Sequence, residues 1–271
     1  QRQMCIRDRA NHVANKQGLP KDLLWDFAVP AIIFSVLGAR IYYVVFSWDY
    51  YKSHLNELLN IRQGGIAIYG AVIGGFLTLL VFCKIRKQNF FLISDIAVLG
   101  LLVGQIMGRW GNFTNREVFG HYTDSLFAMR LPIEAVRSAD ITSDIAAHIT
   151  DGINYIQVHP TFLYESVLNL LLLIVLLLYT KHKKFNGEIA LSYLGGYGII
   201  RFFVEGIRTD QLKIGSTGIA VSQLLGMVLF IAAILTDVIV RIYRRKKGLQ
   251  ELPQKAAVVQ NKVENDEKQD E

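Results

Sequence analysis

Three arginines, Arg40, Arg109 and Arg201, interrupt or end long apolar runs, and a fourth, Arg208, stands at the rim of one. Charge held at such depth must meet a counter-charge, a ligand or water. The densest chemistry lies in residues 108–120, GRWGNFTNREVFG, which begin where an apolar run ends. Arg109 offers a planar fork of donors suited to phosphate, Asn112 and Asn115 can orient a ligand by hydrogen bonds, and Glu117 adds a carboxylate. Gly108, Gly111 and Gly120 would let the backbone turn tightly and approach a ligand. Arg109 alone could be an interfacial side chain reaching for headgroups. The GRxGNxxNxE arrangement favours a binding loop.

A second group lies in YGIIRFFVEGIR, where Tyr197, Arg201, Glu205 and Arg208 are spaced by four, four and three residues. That spacing puts them on one helical face. A ladder of intrahelical salt bridges is the competing reading, but such a face on a membrane helix should line a bundle interior or cavity. HPTFLYE opens another apolar run with His159, Tyr164 and Glu165, and Pro160 suits a first helical turn. His159 could accept a proton but reads equally well as structural. Glu165 could bind a ligand or simply pair with Tyr164 at an interface. In GGIAIYGAVIGG, residues 64–75, the small residues suit close helix packing, while the Tyr69 hydroxyl could meet the arginines. Arg40, in GARIYY, calls for an acidic or phosphate partner.

The elements that carry these groups are apolar blocks. The chain has 271 residues, of which 52% are hydrophobic and 19% charged, below the roughly one quarter charged of soluble domains. Six candidate membrane spans follow, at about 27–48, 65–83, 91–107, 161–179, 189–207 and 217–240. The fold class is therefore an all-α polytopic membrane protein. The net charge of +6 would suit nucleic acid, but its basic residues cluster in short links between spans. Those links are Lys84, Arg86 and Lys87, then Lys181, Lys183 and Lys184, then residues 241–247. The positive-inside rule places them in the cytoplasm and the 108–120 strip on the opposite face. No nucleic-acid partner is implied.

Residues 112–159 are too long for a tight link and suggest a small extracytoplasmic cap. Residues 1–9, QRQMCIRDR, resemble a translated adapter remnant and are set aside as an artefact. Residues 10–240 form the membrane domain, and the polar segment 11–22 suggests a further helix upstream. Residues 241–271 read as a basic patch and a disordered tail ending VENDEKQDE. Two cysteines give no disulfide framework, and the acidic and histidine residues form no metal-ligand cluster. No cofactor is called for. A phosphate-bearing lipid headgroup accounts best for the arginines, with glutamates and asparagines on its hydroxyls. A transporter or binding protein for an anionic lipid or solute is the alternative, although the pseudo-repeats common in transporters are not visible. A scaffold with interior salt bridges is a third.

In order along the chain, GARIYY, GGIAIYGAVIGG, GRWGNFTNREVFG, HPTFLYE and YGIIRFFVEGIR resemble the bacterial prolipoprotein diacylglyceryl transferase family. The resemblance runs from about residue 11 to about residue 240. It implies seven helices, one of them preceding the residues present, and a site facing outward from the cytoplasmic membrane. It implies transfer of diacylglyceryl from phosphatidylglycerol to the lipobox cysteine thiol of a preprolipoprotein, giving a thioether and glycerol phosphate. The partners implied are that lipid, that signal peptide and the bilayer. The signature strip falls on Arg109, Asn112, Asn115, Glu117 and Gly120, and the second arginine on Arg201, with Tyr197, Glu205 and Arg208 around it. Arg40, His159 and Glu165 join these as substrate-binding candidates, and Tyr69 joins Arg109 and Arg201 as catalytic candidates. Many members carry histidine where this chain has Tyr69, followed by Gly70 and Ala71.

Overall fold

A computed structural model describes residues 23–60, 64–150, 152, 154–215 and 218–249. The readings of residues 1–9, of the segment 11–22 with its upstream helix, and of the tail beyond residue 249 lie outside the described residues. The described residues fall into two compact units, divided between Ser94 and Asp95.

In the first unit, α1 (Leu23–Phe46) leads through a short α2 (Trp48–Tyr51) and an irregular stretch to α3 (Ile68–Ile85). Helices α1 and α3 approach to backbone contact: a Cβ on Gly70 would lie 2.2 Å from the Gly38 carbonyl oxygen. Gly70 and Gly74 of the GGIAIYGAVIGG stretch thus serve helix packing. Asp26 and Arg86 pair at the other end of these helices.

Helix α4 (Phe90–Asn115) starts in the first unit and carries into the second. There it is followed by the strand β1 (Met129–Pro132), a four-residue α5 (Ser143–Ala146), strand β2 (Tyr155–Val158), and the long helices α6 (Thr161–Tyr179), α7 (Glu188–Ile207) and α8 (Val221–Lys246). Leu99 and Leu102 of α4 pack with Leu176 of α6 and Ile189 and Tyr193 of α7. Between α4 and α6, β1 and β2 pair antiparallel, Met129 opposite Val158 and Pro132 opposite Tyr155. The segment has its own core of Phe119, Leu131, Val136, Ile145, Ile156 and Val158, all buried.

Among the described residues, five helical stretches are long and apolar enough to cross a membrane: Trp25–Phe46, Ile68–Ile85, Phe90–Asn115, Thr161–His182 and Val221–Lys246. The sixth expected span, α7, has 20 residues but is diluted by Glu188, Arg201 and Glu205. Large apolar side chains such as Leu171, Val175 and Leu178 of α6 are exposed, as a lipid-facing surface requires. The protein is an all-α polytopic membrane protein.

Candidate active site

The 108–120 strip is not a loop at its start. Helix α4 continues through Asn115, so Arg109, Asn112 and Asn115 project from helix, and Gly108 and Gly111 are helical residues. No proline breaks the helix here, and polar side chains replace its lost apolar contacts: Arg109 Nη1 donates to Asn112 Oδ1 at 3.1 Å, one turn on. The reversal comes later and without glycine. Arg116 and Val118 adopt positive φ, 56° and 59°, around Glu117. For a β-branched valine this is a strained conformation, of the sort that clusters at functional sites. Residues 112–115 of the stretch expected as a cap are thus helical, and the rest of that stretch, up to α6, is the cap referred to below. Both Asn112 Nδ2 (3.2 Å) and Asn115 Nδ2 (3.1 Å) donate to Glu117 Oε1. Arg137 of the cap approaches the other carboxylate oxygen at 3.8 Å.

Glu165, on the first turns of α6, is 1% exposed and joins three helices. Arg109 Nε of α4 lies 3.4 Å from its Oε1, an ion pair without an aligned hydrogen bond. Arg201 Nη1 of α7 donates to Oε2 at 3.2 Å, and the Tyr197 hydroxyl donates to Oε1 at 3.4 Å. A carboxylate taken out of water costs several kcal/mol unless paired, and here two guanidinium groups compensate one carboxylate. Arg201 also donates to Glu205, one turn along α7, so the intrahelical ladder exists and is only part of the arrangement. Arg208 lies 3.6 Å from Glu205 and grips Asp210 bidentately at 2.9 and 2.7 Å. Burial alone would raise the Asp210 carboxyl, but the Arg208 guanidinium more than offsets it and holds the pKa below the ordinary carboxylate value.

Backbone bonds fasten the cap to this end of the helices. Gly120 N–H donates to the His159 carbonyl at 3.0 Å, His159 N–H to the His121 carbonyl at 3.0 Å, and His121 N–H to the Ile207 carbonyl at 3.1 Å. Gly120 is required by proximity: a Cβ there would stand 2.8 Å from His159 Cβ and 2.9 Å from the Ile207 carbonyl oxygen. His159 is held through its backbone, while its Nδ1 lies 3.2 Å from the Tyr164 hydroxyl. Burial, then the nearby His121, lower its pKa below the ordinary histidine value.

Arg40 and Tyr69 belong to the first unit. Arg40 is buried, and the acidic or phosphate partner expected for it is replaced by backbone: Nε donates to Leu58 O (2.8 Å), Nη1 to Gly64 O (3.1 Å) and Gly65 O (2.8 Å), and Nη2 to Glu57 O (2.7 Å). Tyr51 lies under its guanidinium at 5.1 Å. With these donors engaged, Arg40 ties down the stretch between α2 and α3. Tyr69 sits in the first turn of α3, 44% exposed, with its ring 6.2 Å from that of Tyr42.

The sequence reading passed over Asp210, Arg137, Gln105 and Asn169. Gln105 lies four residues before Arg109 and Asn169 four after Glu165, so a strict search for polar residues one turn from each charge would have found both. Nothing in spacing marks Arg137, which comes from the cap.

Membrane helices that converge two arginines on one buried carboxylate define a polytopic membrane protein with a charged interior cluster. The profile of the prolipoprotein diacylglyceryl transferase family matches residues 5–239. The chain is 43% identical over 242 residues to the phosphatidylglycerol–prolipoprotein diacylglyceryl transferase of Limosilactobacillus reuteri strain DSM 20016, covering 86% of this chain and 80% of that protein. It is 42% identical over 236 residues to the protein of that name from Listeria welshimeri, with 86% and 79% covered. The Finegoldia magna protein of the same name is 38% identical over 227 residues, with 83% and 82% covered. The chain belongs to the prolipoprotein diacylglyceryl transferase family.

Proposed function

We propose that this protein transfers the diacylglyceryl group of phosphatidylglycerol to the lipobox cysteine of preprolipoproteins, and that the phosphate of the lipid binds at Arg109 and Arg201. The observation that carries this reading is the convergence of the two arginines, from α4 and α7, on Glu165 of α6. Glu165 keeps two like charges together and aimed at one place while the site is free. A phosphate diester can then take the guanidinium donors in a preformed geometry. The names of the relatives supply the donor lipid and the acceptor class.

The acceptor thiolate attacks the diacylglycerol carbon that bears the phosphate ester. A carbon–sulfur bond forms, the carbon–oxygen bond breaks, and the electron pair leaves on glycerol phosphate. The thiol proton ends in solvent or on the departing phosphate monoester, whose second pKa is about 6. Charge grows on the phosphate oxygens in the transition state, and preorganised guanidinium groups away from bulk water stabilise it strongly. The free thiol titrates near ~8.5, and the positive field beside Arg109 and Arg201 favours its thiolate. Glu117, held by Asn112 and Asn115, and Glu205, held by Arg201 and Arg208, set the positions of the surrounding donors.

The site opens on the extracytoplasmic face of the bacterial cytoplasmic membrane. Supporting this, Lys181, Lys183, Lys184 and the stretch 241–247 lie at the opposite end of the second unit's helices, where the positive-inside rule puts the cytoplasm. The test is transfer of labelled diacylglyceryl from phosphatidylglycerol vesicles to a lipobox peptide. Wild-type protein should form a thioether product and release glycerol phosphate, and Arg109→Ala or Arg201→Ala should lower both by about a hundredfold or more while the protein remains folded. Full transfer by either variant overturns the assignment, and vectorial lipid movement without a thioether favours a transporter.

A further inference from the structure

One helical turn below the charged layer lies a second, neutral one. Gln105 precedes Arg109 on α4 by four residues, Asn169 follows Glu165 on α6 by four, and Tyr193 and Tyr197 precede Arg201 on α7 by eight and four. Because α6 runs opposite to α4 and α7, all of these steps lead away from the cap, by about 6 Å for every four residues. Gln105 Nε2 donates to the Tyr193 hydroxyl at 2.9 Å, and the Tyr193 and Tyr197 rings stack with centroids 5.7 Å apart. Asn169 is 0% exposed. On its helix it lies between Ser166, bonded to Ile106 of α4, and Leu172, Leu173 and Leu176, which pack with Leu99, Leu102, Ile189 and Tyr193. It therefore faces the interior between α4 and α7, level with Gln105.

Neither amide atom of Asn169 has a hydrogen-bond partner among the described residues, and Gln105 Oε1 has none either. Interhelical glue is the common role of asparagine in a membrane bundle, but glue requires a partner. Two acceptors and a donor left unmet in a buried layer are costly, and native structures keep such groups where something binds.

We infer that Asn169 and Gln105, with Tyr193 orienting Gln105, form a subsite for neutral hydroxyl groups, which both donate and accept. This inference rests on the function proposed above. Together the charged and neutral layers match a polyol phosphate ester: the anion at Arg109 and Arg201, a hydroxyl about one turn deeper. The hydroxyl can come from the glycerol of the lipid headgroup or from ordered water, and the first is the assignment made here. The subsite then gives the site its preference for a glycerol-bearing phosphate over a bare one.

The experiment is calorimetric binding of glycerol phosphate and of methyl phosphate to the full chain in detergent, with thermal unfolding measured alongside. Wild type should favour glycerol phosphate. Asn169→Leu should reduce that preference by about tenfold, the equivalent of one good hydrogen bond, while Tm holds or rises because no protein partner is lost. Asn169→Thr, which keeps a hydroxyl, should retain part of the preference. An unchanged preference with a raised Tm assigns the bonds to ordered water and overturns the lipid assignment. A lowered Tm with unchanged preference shows a structural partner and overturns the subsite. If Asn169→Leu does not fold, Gln105→Leu is read by the same criteria. Methyl phosphate binding with no preference in wild type refutes the subsite alone, whereas failure to bind either ligand refutes the anion site.

Discussion

The two ends of the second unit's helices both bury carboxylates, and they settle them by different means. At the end away from the cap, Asp95 accepts from Gly187 N–H (3.0 Å), Ala190 N–H (2.9 Å) and Lys183 Nζ (3.2 Å). Beside it Glu188, 1% exposed, accepts from Phe185 N–H (3.3 Å), Lys184 N–H, the Tyr179 hydroxyl (2.6 Å) and Arg241. These carboxylates sit at the first turn of α7, where helix N–H groups need acceptors and the dipole favours negative charge. At the capped end the partners of Glu165 among the described residues are side chains, Arg109, Arg201 and Tyr197. Backbone donors cannot leave without unwinding the helix, whereas guanidinium groups can turn to another anion. The first end is built to hold, the second to exchange.

The largest expected effects set these ends against each other. Arg201→Ala should lower transfer by about a hundred- to thousandfold or more, the scale of losing a preorganised donor to developing charge. Its Tm should fall as well, because buried Glu165 and Glu205 each lose a partner, and Glu188→Ala, which orphans two N–H groups and Arg241, should cost about 3–5 kcal/mol. Glu188→Ala should nonetheless keep its activity per folded molecule. Unfolding curves in detergent and single-turnover transfer on the same samples give both readouts. The contrast collapses if Glu188→Ala is the less active of the two when folded.

Much of this contrast was legible in the chain. Tyr197, Arg201 and Glu205 at steps of four declare one polar face on an otherwise apolar helix, and Arg201 does reach both Glu205 and Glu165. The membrane class followed from long apolar blocks. What misled was local resemblance between roles. Glu165 lies five residues after Pro160, a position that suits an interfacial pair as well as a joint between three helices. Glycines in the 108–120 strip suggested a turn, yet the helix runs on through Asn115 and the reversal falls on Arg116 and Val118, which adopt positive φ. Arg40 seemed to demand an anion, but four carbonyls satisfy a guanidinium equally well, and such carbonyls leave no mark in sequence.

Gly120→Ala tests how tightly the capped end must be shut for its side chains to stay in register. Its added methyl would press on His159 Cβ and the Ile207 carbonyl at under 3 Å, so backbone must move. Overpacking of this kind costs about 1–3 kcal/mol, and the shift should also reduce transfer because Arg208 is the next residue along. Unchanged Tm and transfer would mean that the clasp is slack. A smaller effect is expected from Asn112→Ala, which removes one donor to Glu117 and one acceptor from Arg109. About 1 kcal/mol per bond is the ordinary net worth, so a several-fold rise in KM with little change in Tm should result.

The smallest expected effect is a pH dependence that the capped end should show through His159. Burial, then His121, lower the folded-state pKa of His159 below its ordinary value of 6.5. Below 6.5 the unfolded chain takes up the proton more readily than the folded one, so stability should fall as pH drops from that value through the folded pKa. Above it this histidine contributes no slope. Asp210 acts in the same direction but much lower, its contribution being lost only as pH falls from 3.8 through its depressed folded value. From about pH 6.5 down to 5.5 the loss is therefore assigned to His159. Thermal unfolding across that range should show Tm declining toward acid in wild type and a flatter profile in His159→Gln, which cannot be protonated. Equal slopes in the two proteins would move the acid sensitivity away from the clasp.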